Sequence, residues 1–331
     1  MHAALREAHK GLGHTSPNPA VGAVLVVANR VVARGHHRGP GKPHAEVECL
    51  AKCKRKVPAD ATLFVTLEPC STTGRTGPCT EAIMRSGVRN VVVGCIDVNP
   101  RHQGRGVTLL QQAGLNVRAG VLSAECARLN EHFNKWVVTG RPFVIAKCGM
   151  SLDGRLTRPS AEPQWLTSAA ARRHAHLLRS RVDAILIGAE TLRQDDPRLT
   201  LRNTSGGRQP LRVVLTRTGK LPRQAQVFRD RFRDRTVVYK KSLPAVLADL
   251  GRREITSVLI EGGGEILGQA LDERLIDKVQ IYVASLLTGG PVAAFAGKGC
   301  ASSSEAARLE RIWFAEIGGD VCVTGYPAYA K

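Results

Sequence analysis

Aromatic side chains make up only 4% of the 331 residues, with 3 Trp, 4 Tyr and 7 Phe. So sparse a set leaves no evident row of stacking platforms for single-stranded nucleic acid. Long apolar runs are missing as well. No stretch of about 18 apolar residues occurs, which excludes a helix spanning a membrane. The opening Met1-His2-Ala3-Ala4-Leu5-Arg6-Glu7 carries charge where a secretory signal has an apolar segment, so a soluble cytoplasmic protein is expected. Acidic residues are the scarcer sign of charge, 28 against 48 Lys and Arg, for a net charge of +20. That excess suits anionic ligands or nucleic acid. The basic residues are scattered, however, with no block of five or six, and a solvated basic surface is the plainer account. Repeats and low-complexity linkers are also absent. What is present, 43% hydrophobic and 23% charged residues, can bury cores and excludes disorder as the main state. The length fits about two domains.

The 9 cysteines are an odd number at irregular spacing, which argues against a disulfide framework. Cys49, Cys53, Cys95, Cys126, Cys148, Cys300 and Cys322 mostly sit in apolar or helical contexts and read as small core residues. Cys70 and Cys79 do not.

Residues 1–140 alternate helix and strand signals. Ala20–Ala28 and Arg30–His36 read as a hairpin, Ala61–Leu67 and Asn90–Cys95 as strands, and His44–Lys54, Cys79–Ser86, Val107–Ala113 and Ser123–Val138 as helices. The alternation predicts a mainly parallel sheet with helices on both faces. Thr139-Gly140-Arg141-Pro142 breaks the pattern and marks the domain boundary. Residues 141–331 repeat the α/β alternation. Strands are expected at Phe143–Cys148, Ala184–Gly188, Arg212–Leu215, Thr236–Tyr239, Val258–Ile260 and Lys278–Ala284, with a closing hairpin around Gly318-Gly319.

The sharpest constellation is His44-Ala45-Glu46 with Pro69-Cys70 and Cys79. One His and two Cys are three ligands for tetrahedral zinc, with the fourth position left for water. Such a metal brings the water's pKa toward neutrality. Glu46, two residues past the histidine, can shuttle a proton from that water to a leaving amine. Cys79 opens a helix, where the dipole favours its thiolate. A chance His-x-Glu, or a structural zinc closed by Cys49 or Cys53, are the competing accounts; an intact Glu46 argues against the second.

The pattern resembles the zinc-dependent cytidine-deaminase superfamily. Its longer spacing, Pro69-Cys70-Ser71-Thr72-Thr73-Gly74-Arg75-Thr76-Gly77-Pro78-Cys79, resembles more closely the bifunctional riboflavin-biosynthesis deaminase/reductase family. Thr15-Ser16-Pro17-Asn18-Pro19-Ala20-Val21-Gly22 and Gly35-His36-His37 look like the same family's opening motifs. The resemblance implies one zinc ion per chain on His44, Cys70 and Cys79, and Glu46 as acid/base. It also implies that Asn18, His37, Ala45 and Arg75 contact the pyrimidine or its ribose phosphate. Thr72 stands where many members have a histidine, which touches one substrate contact and spares the metal site.

In the second half, Glu261-Gly262-Gly263-Gly264 follows an apolar strand and opens a helix, as phosphate-binding turns do. Alone it is equally a plain strand-to-helix turn. Lys147-Cys148-Gly149-Met150-Ser151-Leu152-Asp153-Gly154-Arg155, Trp165-Leu166-Thr167-Ser168, Gly188-Ala189-Glu190-Thr191 and Asp195-Asp196-Pro197-Arg198-Leu199-Thr200-Leu201-Arg202 occur in the family's order. They resemble its reductase domain, of dihydrofolate-reductase-like fold. By position, Gly149, Trp165, Thr191, Asp195, Gly263 and Gly264 would hold NADPH. Lys147, Arg179, Leu199, Arg202 and Glu261 would face the ribose-phosphate substrate. Two departures are Pro163, where members often have serine, and Thr216-Arg217, in place of Asp-Ser; Arg217 either reaches the NADPH 2′-phosphate or is simply exposed.

The expected architecture is therefore an N-terminal cytidine-deaminase-like three-layer α/β/α domain, residues 1–140, and a dihydrofolate-reductase-like α/β domain, residues 141–331. The resemblance implies hydrolytic deamination of 2,5-diamino-6-(5-phosphoribosylamino)pyrimidin-4-one, then NADPH-dependent reduction of the ribosyl group to ribityl. It further implies phosphorylated pyrimidine substrates, no nucleic-acid or membrane partner, and a homo-oligomer. A nucleic-acid or tRNA deaminase with an appended binding domain, a chain with one active domain, and a zinc-stabilised scaffold are the alternatives.

Overall fold

The structure, a computed structural model, describes residues 1–53, 57–58, 60–73, 77–157, 165–201 and 208–330. The chain divides into two compact units, Met1–Gly140 and Arg141–Lys331. Among the described residues no helix is long and apolar enough to cross a membrane.

The first unit runs α1 (His2–His9), β1 (Gly22–Val27), β2 (Arg30–His36), α2 (Ala45–Ala51), β3 (Thr62–Leu67), α3 (Cys79–Ser86), β4 (Asn90–Cys95), α4 (Arg105–Gln112), β5 (Asn116–Ala119), α5 (Ser123–Leu129) and α6 (Glu131–Thr139). The sheet order is β2-β1-β3-β4-β5. β1 pairs antiparallel with β2 and β3, whereas β3, β4 and β5 run parallel. The sheet is thus mixed where a mainly parallel one was expected. β1, the arm that enters the hairpin turned at Ala28-Asn29 (both with positive φ), is the strand that runs against β3.

Alternation along the strands sends successive side chains to opposite faces. A Cβ on Gly22 would press into the backbone of Ala4 and Ala8 in α1. Its neighbour Ala23 joins Leu25, Ala45, Cys49, Ile83 and Leu110 in the core on the other face, beneath α2, α3 and α4. Ser123–Val138, expected as one helix, is two. Asn130 breaks it because its buried amide is used elsewhere: Oδ1 accepts from Ala20 N at 2.8 Å and Nδ2 donates to Ala20 O at 3.0 Å.

The second unit contains β6 (Phe143–Ser151), α7 (Ala169–Arg179), β7 (Ala184–Gly188), α8 (Ala189–Asp195), β8 (Leu211–Leu215), α9 (Gln226–Arg229), β9 (Thr236–Tyr239), α10 (Leu243–Arg252), β10 (Ser257–Ile260), α11 (Gly264–Asp272), β11 (Lys278–Ala284), β12 (Arg308–Ile317) and β13 (Asp320–Ala328). Its sheet order is β12-β13-β11-β6-β10-β7-β8-β9, parallel from β11 to β9 and closed by the antiparallel β12–β13 hairpin. One face packs Val144, Ala146, Leu186, Val213 and Val258 against Leu247 of α10 and Leu267 of α11. The other packs Phe143, Ile145, Ile185, Val214 and Leu259 against Leu192 of α8 and Val227 of α9. The chain goes from β6 out to β7, β8 and β9, returns to insert β10 beside β6, then crosses to β6's far side as β11. The carboxyl ends of β6 and β10 therefore flank the point where the direction reverses, which is where open α/β sheets bind ligands.

Candidate functional site

In the first unit, β3 ends at Leu67, and Pro69 leads Cys70 out of the sheet; Cys79 is the first residue of α3, and His44 caps the start of α2. His44 Nδ1 lies 3.2 Å from Cys79 Sγ and 3.5 Å from Cys70 Sγ. Tetrahedral zinc with ordinary bond lengths puts N and S donors roughly 3.6 Å apart along an edge. Three donors at that spacing fit the ion, and among the described residues they form the one such cluster of His, Cys and carboxylate groups. Main-chain bonds fix the thiols: Cys79 N donates to Cys70 Sγ at 3.3 Å, and Thr80 N donates to Cys70 O at 3.2 Å. The hydrogen bond from Cys79 and the neighbouring His44 hold the Cys70 thiol far below its usual range, while the same bond pushes Cys79 up. The bond to Cys70 also raises His44.

Glu46 is 3% exposed, in the first turn of α2. Burial, and then the negative charge at Cys70, push its carboxyl up to about 7. A carboxyl at that value both accepts and releases protons near neutrality.

Asn18 and His37 come together beside this cluster. Asn18 Nδ2 is 3.1 Å from His37 Nε2, and His37 Nδ1 is 3.1 Å from Pro43 O. The carbonyl can only accept, so the ring carries its proton on Nδ1, and Nε2 accepts from Asn18. Burial lowers the pKa of His37 and keeps it neutral. Its ring meets that of His44 edge-on at 5.2 Å. Ala45 is fully buried, and Thr72 is exposed. Arg75 lies outside the described residues.

A group that sequence reasoning missed stands next to these three donors. Glu68, 4% exposed, accepts from the backbone N–H of Gly104 and Gly106, both at 2.8 Å, and of Asp97 at 3.1 Å. The acid immediately before Pro69-Cys70 was the available signal.

In the second unit, the register of β10 on β6 carries Glu261 to the level of Lys147. Arg179, from the last turn of α7, meets Glu261 as a fork: Nε to Oε1 at 2.8 Å and Nη2 to Oε2 at 2.9 Å. Nη1 turns to Thr200 O at 3.4 Å. Burial opposes ionisation of Glu261, but Arg179 and then Lys147 outweigh it and hold the carboxyl at about 2.

The glycine turn also serves the chain's own packing. Gly263 N donates to Thr191 Oγ1 at 2.9 Å, so that N–H is already used. A Cβ on Gly264 would sit 2.0 Å from Ala293 O, so the bare Cα serves internal packing. Leu199, with φ 51°, is 1% exposed and part of the core, which leaves only its main chain for a substrate. Gly149 is half-buried against Thr167, and Asp195 ends α8. Trp165 is 57% exposed with the Arg172 guanidinium 5.4 Å from its ring centroid. Arg217 is exposed, 3.6 Å from Glu265. Pro163 and Arg202 lie outside the described residues.

The model of the RibD C-terminal domain matches residues 142–323, and that of the cytidine and deoxycytidylate deaminase zinc-binding region matches residues 1–95. Riboflavin biosynthesis protein RibD of Aquifex aeolicus is 35% identical, with 98% of this chain and 96% of that protein covered. Its namesake in Escherichia coli is also 35% identical, with 98% and 97% covered. Among solved structures, Acinetobacter baumannii RibD matches with a TM-score of 0.89 at 34% identity, over 99% of this chain and 97% of that one. The Thermotoga maritima diaminohydroxyphosphoribosylaminopyrimidine deaminase/5-amino-6-(5-phosphoribosylamino)uracil reductase matches with 0.88 at 32%, over 99% and 97%.

Proposed function

The chain belongs to the RibD family, the bifunctional deaminase/reductases of riboflavin biosynthesis, and from that premise we propose how its residues divide the work. It pairs a cytidine-deaminase-like unit with a reductase unit of mixed α/β sheet, and uses zinc and NADPH on phosphorylated pyrimidines.

Deamination belongs to Met1–Gly140. His44, Cys70 and Cys79 hold the zinc, which when bound supplies a Lewis acid that makes water acidic enough to attack near neutral pH. Glu46 takes a proton from the attacking water and gives it to the departing amine of 2,5-diamino-6-(5-phosphoribosylamino)pyrimidin-4-one. The observation that carries this reading is the convergence of three donors within 4.8 Å of one another, beside a buried carboxyl. His37, locked neutral, orients Asn18 by taking up its N–H, which leaves the Asn18 amide oxygen to accept from the pyrimidine. Arg75 contacts the ribose phosphate, and the Ala45 main chain lines the ring's place.

Reduction belongs to Arg141–Lys331, in the crevice between the ends of β6 and β10. NADPH, when bound, supplies hydride to the ribose carbon, and the protein's part is to position the two. Gly149, Trp165, Thr191, Asp195, Gly263 and Gly264 border the cofactor's place. Glu261 neutralises Arg179, so Lys147 supplies positive charge for the substrate, a task it shares with Arg202, and Leu199 offers its main chain. The protein is cytoplasmic and self-associates, and nucleic acid is not its partner.

Mass spectrometry of the diaminopyrimidinone nucleotide incubated with zinc-loaded protein tests both halves. Exchange of amine for oxygen without NADPH, then addition of hydrogen only with it, is the expected result. No exchange from metal-replete protein would overturn the deaminase assignment, and exchange without reduction would overturn the reductase one.

A further inference from the structure

We propose that Glu68 is a positioning residue for the metal centre: its carboxylate ties the turn carrying Cys70 to the first turn of α4. The proposal rests on the reading of Cys70 as a zinc ligand.

Both oxygens of Glu68 are spent on main chain. Oε1 accepts from Gly106 N at 2.8 Å and Val107 N at 3.4 Å, and Oε2 accepts from Gly104 N at 2.8 Å and Asp97 N at 3.1 Å. Three of these donors belong to the start of α4, whose own first turn has no acidic residue. Glu68 therefore supplies, from another element, the negative charge that a helix N-terminus favours. Its own N–H donates to Cys95 O at 2.9 Å, so β4 pins it from the other side.

The second half of the joint is Gly106. A Cβ there would lie 2.0 Å from Pro69 O, closer than any real contact, and 3.2 Å from Glu68 Oε1. Only glycine lets α4 lie directly on the Pro69 carbonyl, one residue before the ligand. Cys70 is then held from two directions: by α3, through Thr80 N and Cys79 N, and by α4, through Glu68 and Pro69. A metal site needs its ligands preset, because freedom in one thiolate is entropy lost on binding.

A carboxylate that merely capped α4 would contribute to stability and leave the metal's surroundings alone. The test therefore reads the metal. Glu68→Gln keeps the shape but turns an amide N–H₂ toward main-chain donors. In full-length protein it should weaken zinc affinity roughly 10- to 100-fold, measured by competition with a chelator. Loaded with Co²⁺, it should show altered thiolate-to-metal and d–d bands. Gly106→Ala, whose Cβ presses on both the Pro69 carbonyl and Glu68 Oε1 while leaving the carboxylate its charge, should do the same. In the unsubstituted protein, removing zinc should speed amide hydrogen exchange across residues 104–107, because coupling between two sites is reciprocal. Native affinity and native cobalt bands in Glu68→Gln, with only a lowered melting temperature, would overturn the proposal. So would exchange at residues 104–107 that ignores zinc, a reading that needs no variant to fold. Cys70→Ser is the control: if it retains zinc like the unsubstituted protein, it is the ligand assignment that fails.

Discussion

Replacing Glu261 with glutamine removes one charge from a buried pair and leaves its volume unchanged. The folded carboxyl lies at about 2 against an ordinary 4.5, held there by Arg179 and Lys147 against the cost of burial. A carboxyl held that far below its ordinary value corresponds to about 3 kcal/mol of stability at pH 7. The sign follows from the direction of the shift. A depressed carboxyl contributes fully above its unfolded value and loses that contribution as pH falls toward its folded one. By linkage, most of it remains at pH 4.5, about 1 kcal/mol at pH 3 and little at pH 2. Glutamine cannot titrate. The gap between the two proteins should therefore shrink by about 2 kcal/mol between pH 7 and pH 3. Urea unfolding of the full chain at those two pH values, following the transition of Arg141–Lys331, measures it. A gap that is the same at both pH values would refute the reasoning, whatever its size, because it would mean the fork contributes through packing rather than charge.

Glu46→Gln should retain zinc yet lose deamination by roughly 10²- to 10⁴-fold, the usual contribution of a positioned acid/base; near-normal turnover alongside full zinc occupancy would remove Glu46 from that role. Arg212 is 1% exposed on β8, with both terminal nitrogens on Asp230 and the carbonyls of Arg198 and Val227. Arg212→Met should destabilise by about 3–5 kcal/mol in chemical denaturation, because the partners are left unpaired. Gly264→Ala should cost about 1–3 kcal/mol through its clash with Ala293 O. Gly263→Ala, which meets only Thr191 Oγ1 at 3.2 Å, should cost under about 1 kcal/mol. Equal melting temperatures for those two variants would contradict the packing role of Gly264.

Local signals in the chain were legible where one element decides them. The helix expected at Cys79–Ser86 has those bounds in α3, which Gly87, with φ 81°, stops. The β1–β2 turn and the strand at Asn90–Cys95 were equally plain, since a short apolar run bounded by turn residues shows in the residues themselves. What failed depended on distant partners. Asn130 looks like one more polar position on a long helix until Ala20, 110 residues away, claims its amide. The strand direction of β1 is set by its pairing with β3, and no local pattern encodes it. The candidate metal ligands form a middle case. His44, Cys70 and Cys79 carry chemistry that few other contexts require, whereas Glu68 is an ordinary acid until its four loop and helix partners are folded beside it.

Glycine shows most clearly how one residue type hides two physical causes. After a strand and before a helix, Gly262-Gly263-Gly264 reads as a place where a phosphate approaches main chain. In the fold, the approach at Gly264 is made by the chain's own Ala293 carbonyl, just as Pro69 approaches Gly106 and α1 approaches Gly22. A missing Cβ records that something comes close, and sequence alone does not distinguish a ligand from a neighbouring strand or loop. At Gly263 the distinction falls the other way. Its would-be Cβ meets little beyond the Thr191 hydroxyl, and its N–H is taken by that same oxygen. Thr191 Oγ1, having accepted from Gly263, still carries a proton to give. Gly263 thus spends its N–H on holding the Thr191 hydroxyl, a second use of a bare glycine that the sequence does not separate from the first.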